Sequence, residues 1–228
     1  MLNALIILII LAVIFSPQLW VKHVMKKYNQ HVEDMPGNGG ELARHLVEKF
    51  QLNDVQVESI EYESDHYDLN AKKIRLSEAH YQGKSLTAIT IAAHEFGHAM
   101  QHAIQYKPLL MRNRLAKFSA IAEKYASFLL VSLPFIFLIT KLPILNLVIL
   151  LSGITLMLLP VLFHLVTLPV EFDASFNLAL PILKEGGYLP DADIAIAKKI
   201  LTAAALTYVA ASLASLLNVY RWFAILRR

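Results

Sequence analysis

Four long apolar blocks interrupt the chain, and polar or mixed segments separate them. The blocks cover residues 2–21, Ala126–Ile139, Pro143–Leu168 and Leu201–Tyr220. Because about 20 apolar residues in a helix cross the ~30 Å hydrocarbon core of a bilayer, the pattern predicts about four membrane-spanning helices. The second block is short and contains Pro134, so it is predicted either to be re-entrant or to extend backward through residues 117–125.

The segment between the first two blocks mixes polar and apolar residues as a small soluble domain does. A Gly/Pro-rich loop precedes an amphipathic helix predicted over Gly40–Phe50. The stretches VQVESIEYE and KKIRLS alternate in polarity and predict strands, and Asp68 marks a turn between them, so we expect a small antiparallel sheet. Ser85 is the predicted N-cap of the next helix, which should end before Pro108.

The bulk composition agrees with a chain that is partly solvated by lipid. Hydrophobic residues make up 56% of the 228 residues, only 17% are charged, and the mean hydropathy is +0.49, whereas soluble domains are about a quarter charged. The net charge of +3 is too small to indicate a nucleic-acid partner. The absence of cysteine excludes disulfides, thiol nucleophiles and thiolate metal sites.

Basic residues around the blocks predict the orientation of the chain. The first block lacks the preceding basic residues and the cleavage site of a secretory signal peptide, so we interpret it as a retained anchor. Basic residues favour the cytoplasmic side, and three lysines follow this block directly: Lys22, Lys26 and Lys27. Further basic residues before the second and last blocks agree: Arg112, Arg114, Lys117, Lys198 and Lys199. Three at the C-terminus oppose the assignment: Arg221, Arg227 and Arg228.

The sequence HEFGH, in the helix predicted after Ser85, carries the clearest chemistry. His94 and His98 are four residues apart, so they share one helix face and lie roughly 6 Å apart along the axis, where two imidazoles can bind one metal ion. Glu95 flanks them, in the position of a base that takes a proton from a metal-activated water. This is the H-E-x-x-H pattern of zinc proteases, although two histidines on a solvated helix would also give it. His102 lies about 12 Å along the axis from His94 and cannot join the same ion.

A catalytic zinc needs a third protein ligand and an open position for water. Downstream of the helix the chain offers His164, Glu171 and Asp173, all among apolar residues where an unpaired charge is costly. For Glu171 to meet the two histidines, an even number of spans must separate them, and the two predicted spans between them satisfy this condition. Asp173 and Ser175, the latter on the same helix face as Glu171, are candidates to orient a metal ligand through a hydrogen bond.

Longer stretches carry a family resemblance. The segments AAHEFGHAMQH, LVTLPVEFDAS and KKILTAAALTYVAASLASLL, with DHYD and IRLSEAHY, resemble the YugP-type bacterial membrane zinc metallopeptidases over nearly the whole chain. The resemblance implies a gluzincin-type site with one Zn²⁺ per chain, bound by His94, His98 and Glu171. It also implies that Glu95 is the catalytic base.

The predicted function is that of a membrane-embedded, zinc-dependent endopeptidase, in which Glu95 accepts a proton from a zinc-activated water and passes it to the leaving amine. An extended peptide is expected to pair with the strand Lys72–Ser77. The motif DHYD offers His66 and Tyr67 as transition-state donors, or serves only a hairpin turn. His164 is interpreted as a buried, hydrogen-bonded polar residue of its span.

Two other functions are compatible with parts of the sequence. A non-catalytic membrane scaffold or binding protein would hold a structural metal, or have lost it, but such a site has no use for Glu95 beside an open coordination position. A metal transporter would place its ligands inside the bilayer, whereas the helix of His94 and His98 precedes the membrane hairpin and adjoins a polar sheet. The expected partners are therefore a peptide or protein substrate and the lipid bilayer, without nucleic acid.

The expected fold class is α+β: a polytopic α-helical membrane protein with a small zincin-like metallopeptidase domain. The predicted parts are an N-terminal transmembrane anchor (1–21), a catalytic domain with the histidine helix (22–118), a transmembrane hairpin (119–168), a polar segment with the third zinc ligand (169–200) and a C-terminal transmembrane helix (201–228). The predicted location is the bacterial cell (inner) membrane, with the active site on the cytoplasmic side.

Overall fold

The computed structural model describes residues 16, 17, 19–61 and 64–226, with residues 218–226 described by their backbone alone. Helices dominate, and a three-stranded sheet lies among them. The helices are α1 (19–28), α2 (Gly39–Lys49), α3 (Glu78–Tyr81), α4 (Leu86–Ala103), α5 (Lys107–Thr140), α6 (Pro143–Phe172), α7 (Leu180–Glu185) and α8 (Asp191–Leu226). A π-helical segment, Asp173–Ala179, continues α6 directly into α7. The strands are β1 (Gln56–Ile60), β2 (His66–Asp68) and β3 (Lys73–Ser77).

The sheet has the order β1-β3-β2, with β1 parallel and β2 antiparallel to β3. The prediction of a purely antiparallel sheet is therefore wrong. The turn at Asp68, whose carboxylate accepts hydrogen bonds from the backbone N–H groups of Asn70 and Ala71, joins β2 rather than β1 to β3. Because β3 is paired on both sides, the expectation that Lys72–Ser77 offers a free edge to a peptide is wrong as well.

The helices that frame the site begin where side-chain caps can bind their free N–H groups. Asn38 forms a capping box with Glu41 at the start of α2. The helix therefore begins at Gly39, one residue before the predicted start at Gly40. At the start of α4 the Ser85 hydroxyl accepts a hydrogen bond from Ala88 N at 3.0 Å, as predicted. The same helix ends at Ala103, before Pro108.

Helix α4 runs through the main core and is buried along nearly its whole length. Apolar residues of α2, the sheet and the first part of α8 pack with it in this core. On its other side α4 approaches the π-helical segment so closely that a Cβ built at Gly97 would lie 2.7 Å from the carbonyl oxygen of Ala174. This contact brings the middle of α4 against the end of α6.

Three helical stretches of the described chain are long and apolar enough to cross a membrane: Lys107–Thr140, Pro143–Glu185 and Asp191–Leu217. They correspond to three of the four predicted spans. The helix of the second block extends backward from residue 126 to Lys107, which is one of the two alternatives predicted for this block. Residues 2–15 of the predicted first span lie outside the described residues. Helices α5 and α6 form an antiparallel hairpin that turns at Lys141, where φ is 51°.

Candidate metal centre

Helix α4 and the end of α6 bring together the residues with metal-binding chemistry. His94 and His98 lie one helical turn apart, with ring centroids separated by 4.7 Å. Glu171 faces both of them: its Oε2 lies 3.2 Å from His94 Nε2 and its Oε1 lies 3.5 Å from His98 Nε2. One potential ligand atom from each of these residues falls within 4.8 Å of the others. His94, His98 and Glu171 are buried, as is the neighbouring Glu95.

The far side of the His98 ring is held by a hydrogen-bond relay. Gln101 is fully buried, and its Nε2 donates to the Val170 carbonyl at 2.9 Å and to the Asp173 carboxylate at 2.8 Å. Both partners are acceptors, so the amide NH₂ must face them and its oxygen must face His98 Nδ1, 3.0 Å away. His98 therefore donates through Nδ1 and keeps the lone pair on Nε2, the atom that faces Glu171.

His94 is oriented in the same sense. Its Nδ1 lies 3.1 Å from the Ser175 hydroxyl, which can accept the Nδ1 proton and leave Nε2 directed at Glu171. Two imidazole Nε2 atoms and one carboxylate, each supported by a further hydrogen bond, form the His₂Glu donor set that suits a catalytic zinc ion. The residues present therefore fit a zinc site on the chemistry and orientation of their donor atoms.

Two residues from the apolar helices complete the surroundings of Glu171. Arg112 on α5 donates from Nη1 to Glu171 Oε1 at 2.8 Å. Tyr208 on α8 lines the same cavity beside the cluster. Because Arg112 occupies Oε1, the other oxygen, which faces His94, is the one better placed for a metal.

Burial and neighbouring charges set the protonation of the α4 residues. Burial of Glu95 disfavours its charged form and raises the pKa of its carboxyl group. For His94 burial acts in the opposite direction, but the hydrogen bond to Glu171 and the charge of Glu95 outweigh it, so the pKa of His94 is raised. A metal that binds His94 therefore competes with a proton.

A cavity of about 50 Å³ lies beside these residues, and Glu95 lines it. His66 and Tyr67 of the edge strand β2 line it as well, so the structure brings the DHYD motif to the cluster. His66 Nδ1 donates to the Ser64 carbonyl at 2.7 Å, whereas the Tyr67 hydroxyl hydrogen-bonds His102 Nδ1 at 2.9 Å. His102 thus serves a structural contact at the helix end, as its spacing predicted.

Several residues of the cluster did not emerge from the sequence. Gln101 lies three residues after His98 on the same helix face, and this spacing is the signal that could have found it. Arg112 was interpreted as a topology signal, and Tyr208 lies in an apolar block where nothing marks it. His164 lies away from the cluster, and its Nδ1 is buried without a hydrogen-bond partner among the described residues, contrary to expectation.

Comparison with known proteins extends over almost the whole chain. The sequence model of the family described as "Putative neutral zinc metallopeptidase" matches residues 3–227. The chain is 37% identical over 209 residues to the "Putative membrane protease YugP" of Bacillus subtilis (strain 168), covering 91% of this chain and 89% of that protein. No solved structure gives a significant match.

Proposed function

The chain belongs to the family of neutral zinc metallopeptidases, and on that premise we propose that it is a membrane-spanning, zinc-dependent endopeptidase. The observation that carries the proposal is the meeting of His94 and His98 with Glu171, which is 77 residues from His94 in the chain. Glu95 lines the adjoining cavity, as the H-E-x-x-H pattern requires of a base. One zinc ion per chain is the stoichiometry supported by this cluster, the one that the described residues form.

His94 and His98 would hold the ion through Nε2, and Glu171 through the carboxylate oxygen that Arg112 leaves unoccupied. A zinc ion in this place supplies a Lewis acid that acidifies a water molecule and polarises the scissile carbonyl. Arg112 holds the carboxylate of Glu171 from the side of the apolar helices.

Glu95 is the proposed general base and acid. It is 6% exposed, and burial raises the pKa of its carboxyl group, which makes the carboxylate a stronger acceptor for a proton from water. A scaffold with a purely structural metal would gain nothing from a buried carboxyl group beside a cavity, because burying an unpaired charge destabilises the fold.

The edge strand β2 is the proposed docking site for the substrate backbone. In the order β1-β3-β2 it lies at the end of the sheet, and its residues His66 and Tyr67 line the cavity of Glu95. An extended peptide that adds to this edge would pass the metal cluster, and backbone hydrogen bonds would bind it with little dependence on sequence.

The test replaces Glu95 by Gln, which keeps the shape of the side chain but cannot accept the proton. Purified Glu95→Gln protein should retain wild-type zinc content and lose hydrolysis of a mixed peptide library by about 10²-fold or more. The exposed Glu48 of α2 provides the matched control, because Glu48→Gln removes a carboxylate far from the cluster and should leave turnover unchanged. Near-normal turnover in Glu95→Gln would contradict the role of Glu95 as the general base.

A further inference from the structure

The walls of the catalytic cavity come partly from the helices proposed to cross the membrane. Leu109 and Arg112 of α5 and Tyr208 of α8 line the cavity, and Glu171 belongs to α6. The Arg112–Glu171 ion pair of 2.8 Å joins α5 to α6 at the cluster itself. The centre is therefore held at a fixed height on the apolar helices and not on a flexible tether.

The register of the α5/α6 hairpin allows the distance between the cluster and the hydrocarbon core to be measured along the helices. Arg112 pairs with Glu171, and the Leu130 side chain packs on Gly153. Both pairs are equidistant along the chain from the turn at Lys141 and Leu142, so the two helices stay in register from the turn to the cluster. The rise of about 1.5 Å per residue along α5 then converts sequence separation into distance.

Lysines mark the limits of the lipid-facing part of α5. Large apolar side chains are exposed on α5 at Met111 (49%) and then repeatedly from Phe118 (64%) to Ile139 (82%), and Lys141 follows at the turn. From Lys124 to Lys141 the helix is about 25 Å long, and from Lys117 to Lys141 about 36 Å. A hydrocarbon core of ~30 Å therefore ends between Lys117 and Lys124 on the side of the cluster.

Arg112 consequently lies about 8–18 Å beyond the hydrocarbon edge, and any tilt of the hairpin lowers this height. The headgroup layer on each side of a bilayer is about 5–7 Å thick. The catalytic cavity thus lies between about 1 and 13 Å above the outer surface of the headgroups for an untilted hairpin, and closer for a tilted one.

We infer that the substrates are polypeptides anchored in the same bilayer and cut in an extended segment close to their anchor. The inference rests on the proposed peptidase function. An extended chain covers at most about 3.3–3.6 Å per residue, so roughly 3–5 residues must separate the hydrocarbon edge from the scissile bond. Longer spacers dilute the segment around the fixed site, so the effective concentration falls with spacer length.

The experiment uses the full chain, loaded with zinc, in liposomes. The substrate is an unstructured, mixed-sequence peptide of about 30 residues carrying two acyl chains at one end, which anchor it stably, and the comparison is the same peptide without acyl chains at equal total amount. We expect the anchored peptide to be cleaved at least about tenfold faster. Mass spectrometry of the products should place most cuts within about 3–15 residues of the anchor.

Two controls separate the possible failures. Placing enzyme and anchored peptide in separate vesicles should abolish the enhancement, and Glu95→Gln in shared vesicles should give no cleavage. Equal rates for the two peptides, cuts spread evenly along the anchored one, or an enhancement that survives in separate vesicles would overturn the inference while leaving the peptidase function intact. Cleavage of neither peptide by the zinc-loaded wild type would overturn the proposed function, and the inference with it.

Discussion

At the scale of single residues, the cluster depends on side chains that are not metal-ligand candidates themselves but hydrogen-bond the two histidines. Gln101 accepts a hydrogen bond from His98 Nδ1 through its amide oxygen, and its amide nitrogen donates to the Val170 carbonyl of α6 and to Asp173 of the π-helical segment. It therefore fixes the tautomer of His98 and the position of α4 relative to Glu171 together. Ser175 fixes the tautomer of His94 in the same way, through the contact of its hydroxyl with Nδ1.

Replacing Gln101 by Met preserves an unbranched side chain of similar length and removes all three hydrogen bonds. We expect the zinc affinity of Gln101→Met to fall by about 10–100-fold, the usual cost of losing a group that orients a ligand. Competition with a chelator measures this affinity. Gln105→Met is the matched control, because Gln105 is exposed and binds only the His102 carbonyl. Equal affinities of Gln101→Met and wild type would remove Gln101 from the site's support.

Protons compete with zinc for His94. Its pKa is raised above the ordinary value of 6.5, and only the neutral imidazole binds a metal. As the pH falls through the raised pKa, His94 gains a proton and the metal is released; as the pH rises, the affinity recovers. We expect the apparent zinc affinity, corrected for the chelator's own protonation, to decrease from about pH 8 to about pH 6. A constant affinity over this range would contradict the assignment of His94 as a ligand.

The positions of His94, Glu95 and His98 relative to one another could be predicted because helix geometry fixes them within two turns. The choice among His164, Glu171 and Asp173 could not be made from local pattern, since it depends on how α6 packs against α4. Tyr208 is a still longer-range case. A hydroxyl in an apolar helix acquires its role only when tertiary packing brings it to the cavity.

At the scale of elements, the contact between α4 and the π-helical segment aligns the two halves of the cluster. Gly97 lies between His94 and His98, and the absence of a side chain there permits the Ala174 carbonyl to approach the helix. Asp173 and Ser175, which flank Ala174, make the hydrogen bonds that support both histidines. The close approach and the orientation of the ligands are therefore coupled.

Gly97→Ala should disrupt this alignment. The new Cβ would lie 2.7 Å from a backbone carbonyl, and overpacking of this kind typically destabilises a fold by about 1–3 kcal/mol. We expect a lower thermal unfolding temperature and weaker zinc binding. Gly153→Ala is the control, because its Cβ would meet the Leu130 side chain at the same 2.7 Å, and a side chain can rotate away. Comparable losses in both variants would argue against a special role of the α4 contact.

The sheet illustrates where pattern reasoning stops at this scale. Alternating polarity identified β1 and β3, but it carries no information about which strands pair, so the parallel arrangement could not be predicted. Strand β2 has three residues, too few for a periodic signal. As a result the strand beside the cavity was expected to be β3, whereas β3 lies in the middle of the sheet and β2 lines the cavity.

At the scale of the whole molecule, the hairpin explains how two distant segments meet. Helix α5 begins next to the end of α4, and α6 returns from the turn at Lys141 to bring Glu171 back to the same end. Two apolar helices thus separate the histidines from Glu171, which satisfies the parity condition set by the sequence. If α5 and α6 cross a bilayer, as proposed, the opposite end of the hairpin faces its other side.

The last prediction concerns the orientation of the whole molecule: from the basic residues after the first apolar block we expect the sheet and α4 to lie on the cytoplasmic side. The native chain has no cysteine, so single substitutions report cleanly. Gln56→Cys, exposed on β1, should react with a membrane-impermeant thiol reagent only after intact cells are permeabilised. Leu142→Cys, at the hairpin turn and 56% exposed in the native residue, should react in intact cells. The reverse pattern would invert the orientation without affecting the zinc chemistry, whereas identical labelling of both sites would mean that the α5/α6 hairpin does not cross the membrane.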